Sequence, residues 1–447
     1  MNKKNIISIL IIIILIIALC VIIGLFIKEN NNGVNGNEML AQNGEMPPDK
    51  PGENGQMPGG NGSSNVSHTG ATEISSDTSN SDVSYSSTTG SENALLVTGG
   101  TSTISNPTIT KSGDSDGDNS DFYGTNAAVL VKEGTLNING GTVTTNGSHA
   151  NGVFAYSNGI INISNTKIKT TSNNSGAIMV TGGGTLTANN VIAETDGNSS
   201  APIRSDRGGG TLTVNGGTYT ANGVGSPAVY STANITVNDA TLISTKSEGV
   251  VVEGKNSITL NNVNLTDTNT SLNGNSETYK NIFLYQSMSG DADEGTASFT
   301  AKDSTITTNK GDTIFITNTK ATISLTNNKI INNDSTGGFL RIQSGKWGNS
   351  GSNGGDVTLN GINQVIDGNI FVDSISTLTM NLSSGSKYTG TLNGDNTAKK
   401  ISLSLDKSST ITLTGDSYIN SLDDEDSSYS NINFNGYKLY VNGTAIN

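Results

Sequence analysis

The sequence predicts an all-β protein, in which a single-stranded right-handed parallel β-helix of roughly 10–13 coils follows one N-terminal transmembrane helix and a disordered linker. Three observations carry this prediction: a repeated strand–turn–strand pattern, a nearly constant period, and no helical spacing of apolar residues after the N-terminus. A fixed period of this length is typical of a solenoid, in which each repeat buries its apolar face against its neighbours.

Each copy of the repeat alternates two apolar residues with polar ones, then has Gly, Asn or Asp, and then a further apolar residue. The copies begin at Leu136, Ile161, Leu186, Leu212, Ile235, Ile258, Phe299 and Ile323. Alternation is expected of a strand with one buried face, and Gly, Asn and Asp tolerate the left-handed backbone of a bend. A second strand precedes most copies, so about three short strands form each coil, and the crossover rule favours right-handed coiling.

The N-terminus has the properties of a membrane anchor. Lys3 and Lys4 precede the apolar run 6–27, which is long enough to span a bilayer. Positive charge before the run places the N-terminus in the cytoplasm and the rest of the chain outside the cell. We therefore expect a single-pass protein of the cell membrane with an extracellular β-helix. A cleaved signal sequence is the alternative.

Composition divides the chain into four regions: an anchor over 1–27, a linker over 28–92, the β-helix over 93–425, and a C-terminal cap over 426–447. The linker is rich in Gly, Pro, Ser and Asn and has few apolar residues, although its last part could add a coil. Three insertions interrupt the period, the second of them in two parts, and such loops often carry binding sites. They are Lys111–Thr125, Asp267–Asn281, Ser287–Thr296 and Ser344–Asp356.

The charge balance argues against two classes of partner. The formal net charge is −14, and only 14% of residues are charged. Because nucleic acids and anionic lipid surfaces bind basic patches, we expect neither as a ligand. The one cysteine, Cys20, lies in the apolar run, so no disulfide is expected in the exported part.

An acidic segment is the candidate metal site. Asp114, Asp116, Asp118 and Asp121 alternate around a glycine, and carboxylates in such a pattern can converge on calcium. The segment lacks the glycine and glutamate positions of an EF-hand loop. A solvated acidic loop is the alternative.

A second candidate site is the lateral column, which we define as the outward-facing middle position of the second strand on successive coils. Its predicted members are Leu130, Phe154, Met179, Arg204, Tyr230 and Val252. Aromatic rings and arginine at a surface favour a glycan ligand, and Tyr156, Asp206 and Arg207 lie beside the column. Two alternatives stay open: the linker or an insertion packs over the column, or the register is off by one.

Trp347 stands in a glycine-rich loop, where it is either a ligand platform or a plug over the core. Catalysis has weaker support. Arg204, Asp206 and Arg207 form the one cluster that fits cleavage of an acidic polysaccharide, without paired carboxylates on adjacent coils. Neither histidine stands in a nucleophile pattern.

Several exposed segments resemble those of secreted adhesin-like right-handed parallel β-helix proteins, with a pectate-lyase-like solenoid, of Gram-positive bacteria. The segments are 112–114, 121–130, 204–210, 226–232, 285–291 and 347–354. The resemblance covers roughly residues 90–425 and implies a fold and a cell-surface location, but no catalytic residues.

Together these patterns predict a membrane-anchored extracellular surface protein, an adhesin or carbohydrate-binding β-helix, with calcium as a candidate cofactor. Its ligand would be a polysaccharide or another ligand on a host or neighbouring cell surface. The expected ligand-binding residues are Phe154, Tyr156, Met179, Arg204, Asp206, Arg207, Tyr230 and Trp347. The alternatives are a lyase or glycoside hydrolase acting on acidic glycans, and a structural spacer without a ligand.

Overall fold

Parallel strands stack coil upon coil into a right-handed β-solenoid of about 15 coils, in a computed structural model that describes residues 66–273 and 276–447. The predicted parallel β-helix is therefore confirmed, but the predicted coil count is too low. Strands begin at Glu73, inside the range that the sequence assigned to the linker, and continue to Ala445. The expected transmembrane segment over 1–27 lies outside the described residues, as does most of the linker. Within the described ranges, no helix has the length and apolarity needed to cross a bilayer.

The first thirteen strands and one short helix extend to Ala221. They are β1 Glu73–Ile74, β2 Thr78–Ser81, β3 Ser84–Ser87, β4 Leu95–Ser105, β5 Thr108–Lys111, α1 Asp118–Tyr123, β6 Val129–Asn139, β7 Thr142–Thr145, β8 Val153–Ser164, β9 Lys167–Thr170, β10 Ile178–Thr181, β11 Gly184–Thr195, β12 Ile203–Ser205 and β13 Gly210–Ala221.

The middle strands extend to Ile362. They are β14 Val229–Ser231, β15 Asn234–Asn238, β16 Thr241–Ser244, β17 Val250–Glu253, β18 Ser257–Asn261, β19 Asn264–Asp267, β20 Lys280–Tyr285, β21 Thr296–Lys302, β22 Thr305–Thr308, β23 Asp312–Thr317, β24 Thr319–Thr326, β25 Lys329–Asn332, β26 Leu340–Ile342 and β27 Gly355–Ile362.

The last strands complete the solenoid. They are β28 Val365–Asp367, β29 Ile370–Val372, β30 Thr377–Ser383, β31 Lys387–Gly390, β32 Lys400–Leu405, β33 Thr410–Leu413, β34 Ser417–Ile419, β35 Ser421–Asp424, β36 Ile432–Asn433, β37 Leu439–Val441 and β38 Thr444–Ala445. β37 and β38 pair antiparallel, in contrast to the parallel stacking of the preceding coils.

The residues that begin each copy of the repeat form one continuous column in the core. Their stacking order is Leu136, Ile161, Leu186, Leu212, Ile235, Ile258, Phe299 and Ile323. Each of these side chains has at most 1% of its surface exposed. Removing such a side chain from water contributes about 1.5–3 kcal/mol, so the column supplies much of the stability of the solenoid.

The bends lie where the repeat predicted them. Asn165, Asn190, Asp239 and Asn262 have φ between 51° and 55°, in the left-handed region that Asn and Asp tolerate. Their side chains also connect coils, since Asn262 Nδ2 donates to Asp239 Oδ1 at 2.7 Å. These residues therefore shape the turns and connect one coil to the next.

Candidate ligand-binding face of the solenoid

The lateral column runs along most of the solenoid. Its observed members are Leu96, Leu130, Phe154, Met179, Arg204, Tyr230, Val251, Phe283, Phe315, Arg341 and Phe371. The predicted stacking from Leu130 to Tyr230 is confirmed. The prediction of Val252 as the next member was wrong by one residue, because Tyr230 pairs with Val251 and the Val252 side chain packs in the core.

The N-terminal end of the column is covered by other parts of the chain. Leu130, Phe154 and Met179 have no exposed surface and form a separate apolar cluster, against which Tyr156 packs. Thr181 Oγ1 donates to the Phe122 carbonyl of α1 at 2.7 Å. The prediction that the lateral column is exposed is therefore wrong at Phe154 and Met179. The alternative, that an insertion packs over the column, is confirmed there.

Aromatic contacts hold this cover in place. The Tyr156 ring lies 5.6 Å from the Tyr123 ring, edge to face, and 5.8 Å from the His68 ring. His68 Nε2 lies 2.9 Å from the Tyr123 carbonyl, and burial lowers the pKa of His68. Two segments that precede Tyr156 in the sequence therefore contact its ring.

The acidic segment does not gather its carboxylates. Asp114, Asp116 and Asp118 are exposed, while Asp121 binds His149 Nδ1 at 2.9 Å. In the described ranges no three His, Cys, Asp or Glu side chains form a group suited to a metal ion. Calcium binding by these four residues stays a prediction.

Arg204 and Asp206 form a buried ion pair at 2.9 Å, with 12% and 6% of their side-chain surfaces exposed. Burial raises the pKa of Asp206 to about 7, against the opposing effect of Arg204. Arg207 joins two insertions, because its guanidinium lies 3.9 Å above the Phe122 ring and its Nε lies 2.5 Å from Asp291 Oδ1. These contacts cover the middle of the lateral column.

Glu253 is the centre of a second buried network. Tyr230 and Tyr285 donate hydroxyl hydrogen bonds to Glu253 Oε2 at 2.5 and 2.8 Å, and the Ser287 hydroxyl donates to Oε1. Burial raises the pKa of Glu253 and of both tyrosines. Because Ser287 begins the loop that carries Asp291, this network fixes the loop to the solenoid.

Beyond this covered region, two insertions form a recess on the same face. Residues 276–278 and the loop that carries Trp347 line it on two sides, with Phe283 and Phe315 beneath. The recess is lined by Ser276, Glu277, Thr278, Lys280, Phe283, Phe315, Thr317, Gln343, Gly345, Lys346 and Trp347. Its surface combines the partly exposed Trp347 ring with hydroxyl, amide and charged groups, above the buried Phe283 and Phe315 rings.

Packing positions Trp347 at this recess. Its ring lies 5.2 Å from the buried Tyr285 ring, and Phe283 and Phe315 lie 5.8 Å apart in the same apolar cluster. Asn353 Nδ2 donates to the carbonyls of Gly345 and Trp347 at 2.7 and 2.8 Å, which fixes the loop. The indole is therefore held partly exposed while it packs against the aromatic cluster that contains Phe283 and Phe315.

Trp347 is the one predicted site residue that lines the recess, whereas Tyr230 contacts the aromatic cluster from the adjoining coils. Sequence reasoning missed Phe283, Phe315 and Lys280, because the insertion 267–281 interrupts the period and hides the register. The register could have been found by aligning the segment 282–284 with the segment 250–252, because these two segments pair in the structure.

No family model, curated protein or solved structure matches this chain. The assignment of a parallel β-solenoid built from repeats therefore rests on the structure alone. The relationship to adhesin-like proteins of Gram-positive bacteria stays a prediction from the sequence.

Proposed function

We propose that the protein is an extracellular surface protein of the adhesin type that binds a carbohydrate in the recess at Trp347. The observation that carries this proposal is the convergence of two insertions around the partly exposed Trp347 ring, with a polar rim. Aromatic faces bury the apolar C–H faces of sugar rings, while nearby polar groups fix their orientation. The ligand would be a polysaccharide or a glycan of a host or neighbouring cell surface.

The rest of the chain supports this role in a simple way. The solenoid is a rigid carrier, and the predicted anchor over 1–27 would hold it at the cell membrane. Arg204, Asp206 and Glu253 are buried in networks that fix the insertions, so in this proposal they position loops and do not contact the ligand. Trp347 makes the principal contact.

The test is a glycan binding panel with the full chain, using wild type, Trp347→Ala and Tyr437→Ala. Tyr437 is the matched control, because it is an aromatic residue with 39% exposure in the last coils. We expect Trp347→Ala to weaken binding about tenfold or more, because the indole would be the aromatic anchor of the site, and Tyr437→Ala to change it less than twofold.

Product analysis and binding in the presence of a chelator separate the alternatives. Release of unsaturated or reducing sugar ends would favour a lyase or hydrolase instead. Binding that disappears with a chelator would support the predicted calcium dependence. Equal losses in the two variants, or no binding to any glycan, would contradict the proposal.

A further inference from the structure

We infer that the recess at Trp347 selects neutral glycans over acidic ones. This inference rests on the proposed function of the recess and names the ligand class. It follows from the charges that line the recess, each of which has a partner within the protein. An acidic glycan would need a cation that is free to meet its carboxylates or sulfates.

Lys280 is the more buried of the two lysines that line the recess. Only 2% of its side-chain surface is exposed, and its Nζ lies 3.0 Å from Glu248 Oε1. The same ammonium group donates to Ser276 Oγ at 2.7 Å and to the Thr278 carbonyl at 3.1 Å. Taking Lys280 from Glu248 would leave a buried carboxylate without compensation, which costs several kcal/mol.

Lys346 is the second lysine, and it lies at the rim. Its Nζ is 3.8 Å from Glu277 Oε1, and both side chains are about half exposed. An acidic ligand that approaches Lys346 therefore also meets Glu277. Arg341, which stacks on Phe315, forms an ion pair with Asp312 at 2.6 Å, and its guanidinium lies 4.2 Å above the Phe371 ring.

The charges of the whole chain act in the same direction. The formal net charge is −14, which repels a polyanion at distances up to the Debye length, about 10 Å at 0.1 M salt. A neutral sugar avoids this penalty. Its hydroxyls can donate to the Glu277 carboxylate and exchange hydrogen bonds with the Gln343 amide, while its ring packs on Trp347.

The experiment compares neutral polymers (β-glucan, xylan, mannan and galactan) with acidic ones (polygalacturonate, alginate, hyaluronan and heparin), using the full chain. We expect at least one neutral polymer to bind at least tenfold more tightly than every acidic one, with affinity unchanged between 50 and 500 mM salt, since no counterions are released. Tighter binding of an acidic polymer, or acidic binding that requires calcium, would overturn the inference while leaving a carbohydrate-binding function in place. Failure of all eight polymers would overturn the proposed function and this inference with it.

A gain-of-function variant gives an independent reading. Glu277→Gln removes the partner of Lys346 without removing the lysine, so we expect acidic polymers to bind at least fivefold more tightly, in a salt-sensitive way. Glu194→Gln is the control for net charge, because it removes one negative charge from the cluster of Lys169, Glu194 and Asp196 on a different part of the chain. Equal gains in both variants would show an effect of net charge alone and would contradict a local charge balance in the recess.

Discussion

Asp267 illustrates how burial controls a single ionisable group in this solenoid. The residue ends β19 with none of its surface exposed, and neither carboxyl oxygen has a hydrogen-bond partner in the described part of the chain. Burial, and then the nearby Glu248, raises the pKa of Asp267 to about 9. Asp267 therefore keeps its proton at neutral pH, unlike an ordinary aspartate.

The pH dependence of stability follows from this raised pKa. The unfolded state releases the proton near the ordinary pKa of 3.8, whereas the folded state keeps it to about pH 9. The contribution of Asp267 to the stability of the folded state therefore falls as the pH rises from about 4 to 9.

We expect Asp267→Asn to stabilise the protein by about 2–4 kcal/mol at pH 8 and to have little effect at pH 4. Urea unfolding at both pH values measures this difference. A stability difference that is the same at pH 4 and pH 8 would contradict the raised pKa.

At the scale of elements, the insertions act as covers that are fixed by a few long-range contacts. Helix α1 is short and lies against the apolar cluster of Phe154 and Met179, where its Tyr123 contacts Tyr156 edge to face. Phe122 connects it to the solenoid through Arg207 and through the hydrogen bond from Thr181 to its carbonyl. An isolated helix of this length would not be stable, so tertiary contacts must maintain it.

We expect Phe122→Ala to loosen α1 while leaving the solenoid intact. Loss of the cation–π contact and of the ring packing should cost about 1–2 kcal/mol locally. Amide hydrogen exchange over 118–126 should then speed up about tenfold, with an unchanged unfolding midpoint. The same exchange rate in Phe122→Ala and wild type would show that other contacts hold the helix.

The insertions were visible in the sequence as breaks in the period, but their docking was not. Arg207 meets Asp291, which lies 84 positions later in the chain, and no local pattern encodes such a contact. The same reason explains why Arg204 was predicted at a surface and proves mostly covered, with 12% of its side-chain surface exposed. Trp347 could be found because an indole in a glycine-rich loop is unusual by itself.

At the scale of the molecule, one repeated column determines the architecture. The repeat gives the residues that stack in the core, and the structure pairs them in that order from Leu136 to Ile323. The number of coils was underestimated, because the strands Thr78–Ser81 and Ser84–Ser87 are rich in Ser and Thr, which also typify a linker.

Two neighbouring residues test the stacking register. Leu212 is fully buried in the core column, and the adjacent Thr213 faces outward. We expect Leu212→Ala to destabilise the protein by about 2–5 kcal/mol, and Thr213→Ala by less than about 1 kcal/mol. Urea midpoints measure both changes. A larger loss for Thr213→Ala would indicate the opposite register.

The central claim is that a glycan binds in the recess at Trp347, and the chain contains its own probe of that place. Trp347 is the single tryptophan of the protein, so intrinsic indole fluorescence reports on the recess alone. We would titrate the full chain with the neutral glycan that binds best and record the emission. A saturable shift with the same midpoint as binding measured by calorimetry is the expected result. Calorimetric binding with an unchanged emission spectrum would place the ligand elsewhere and contradict the account.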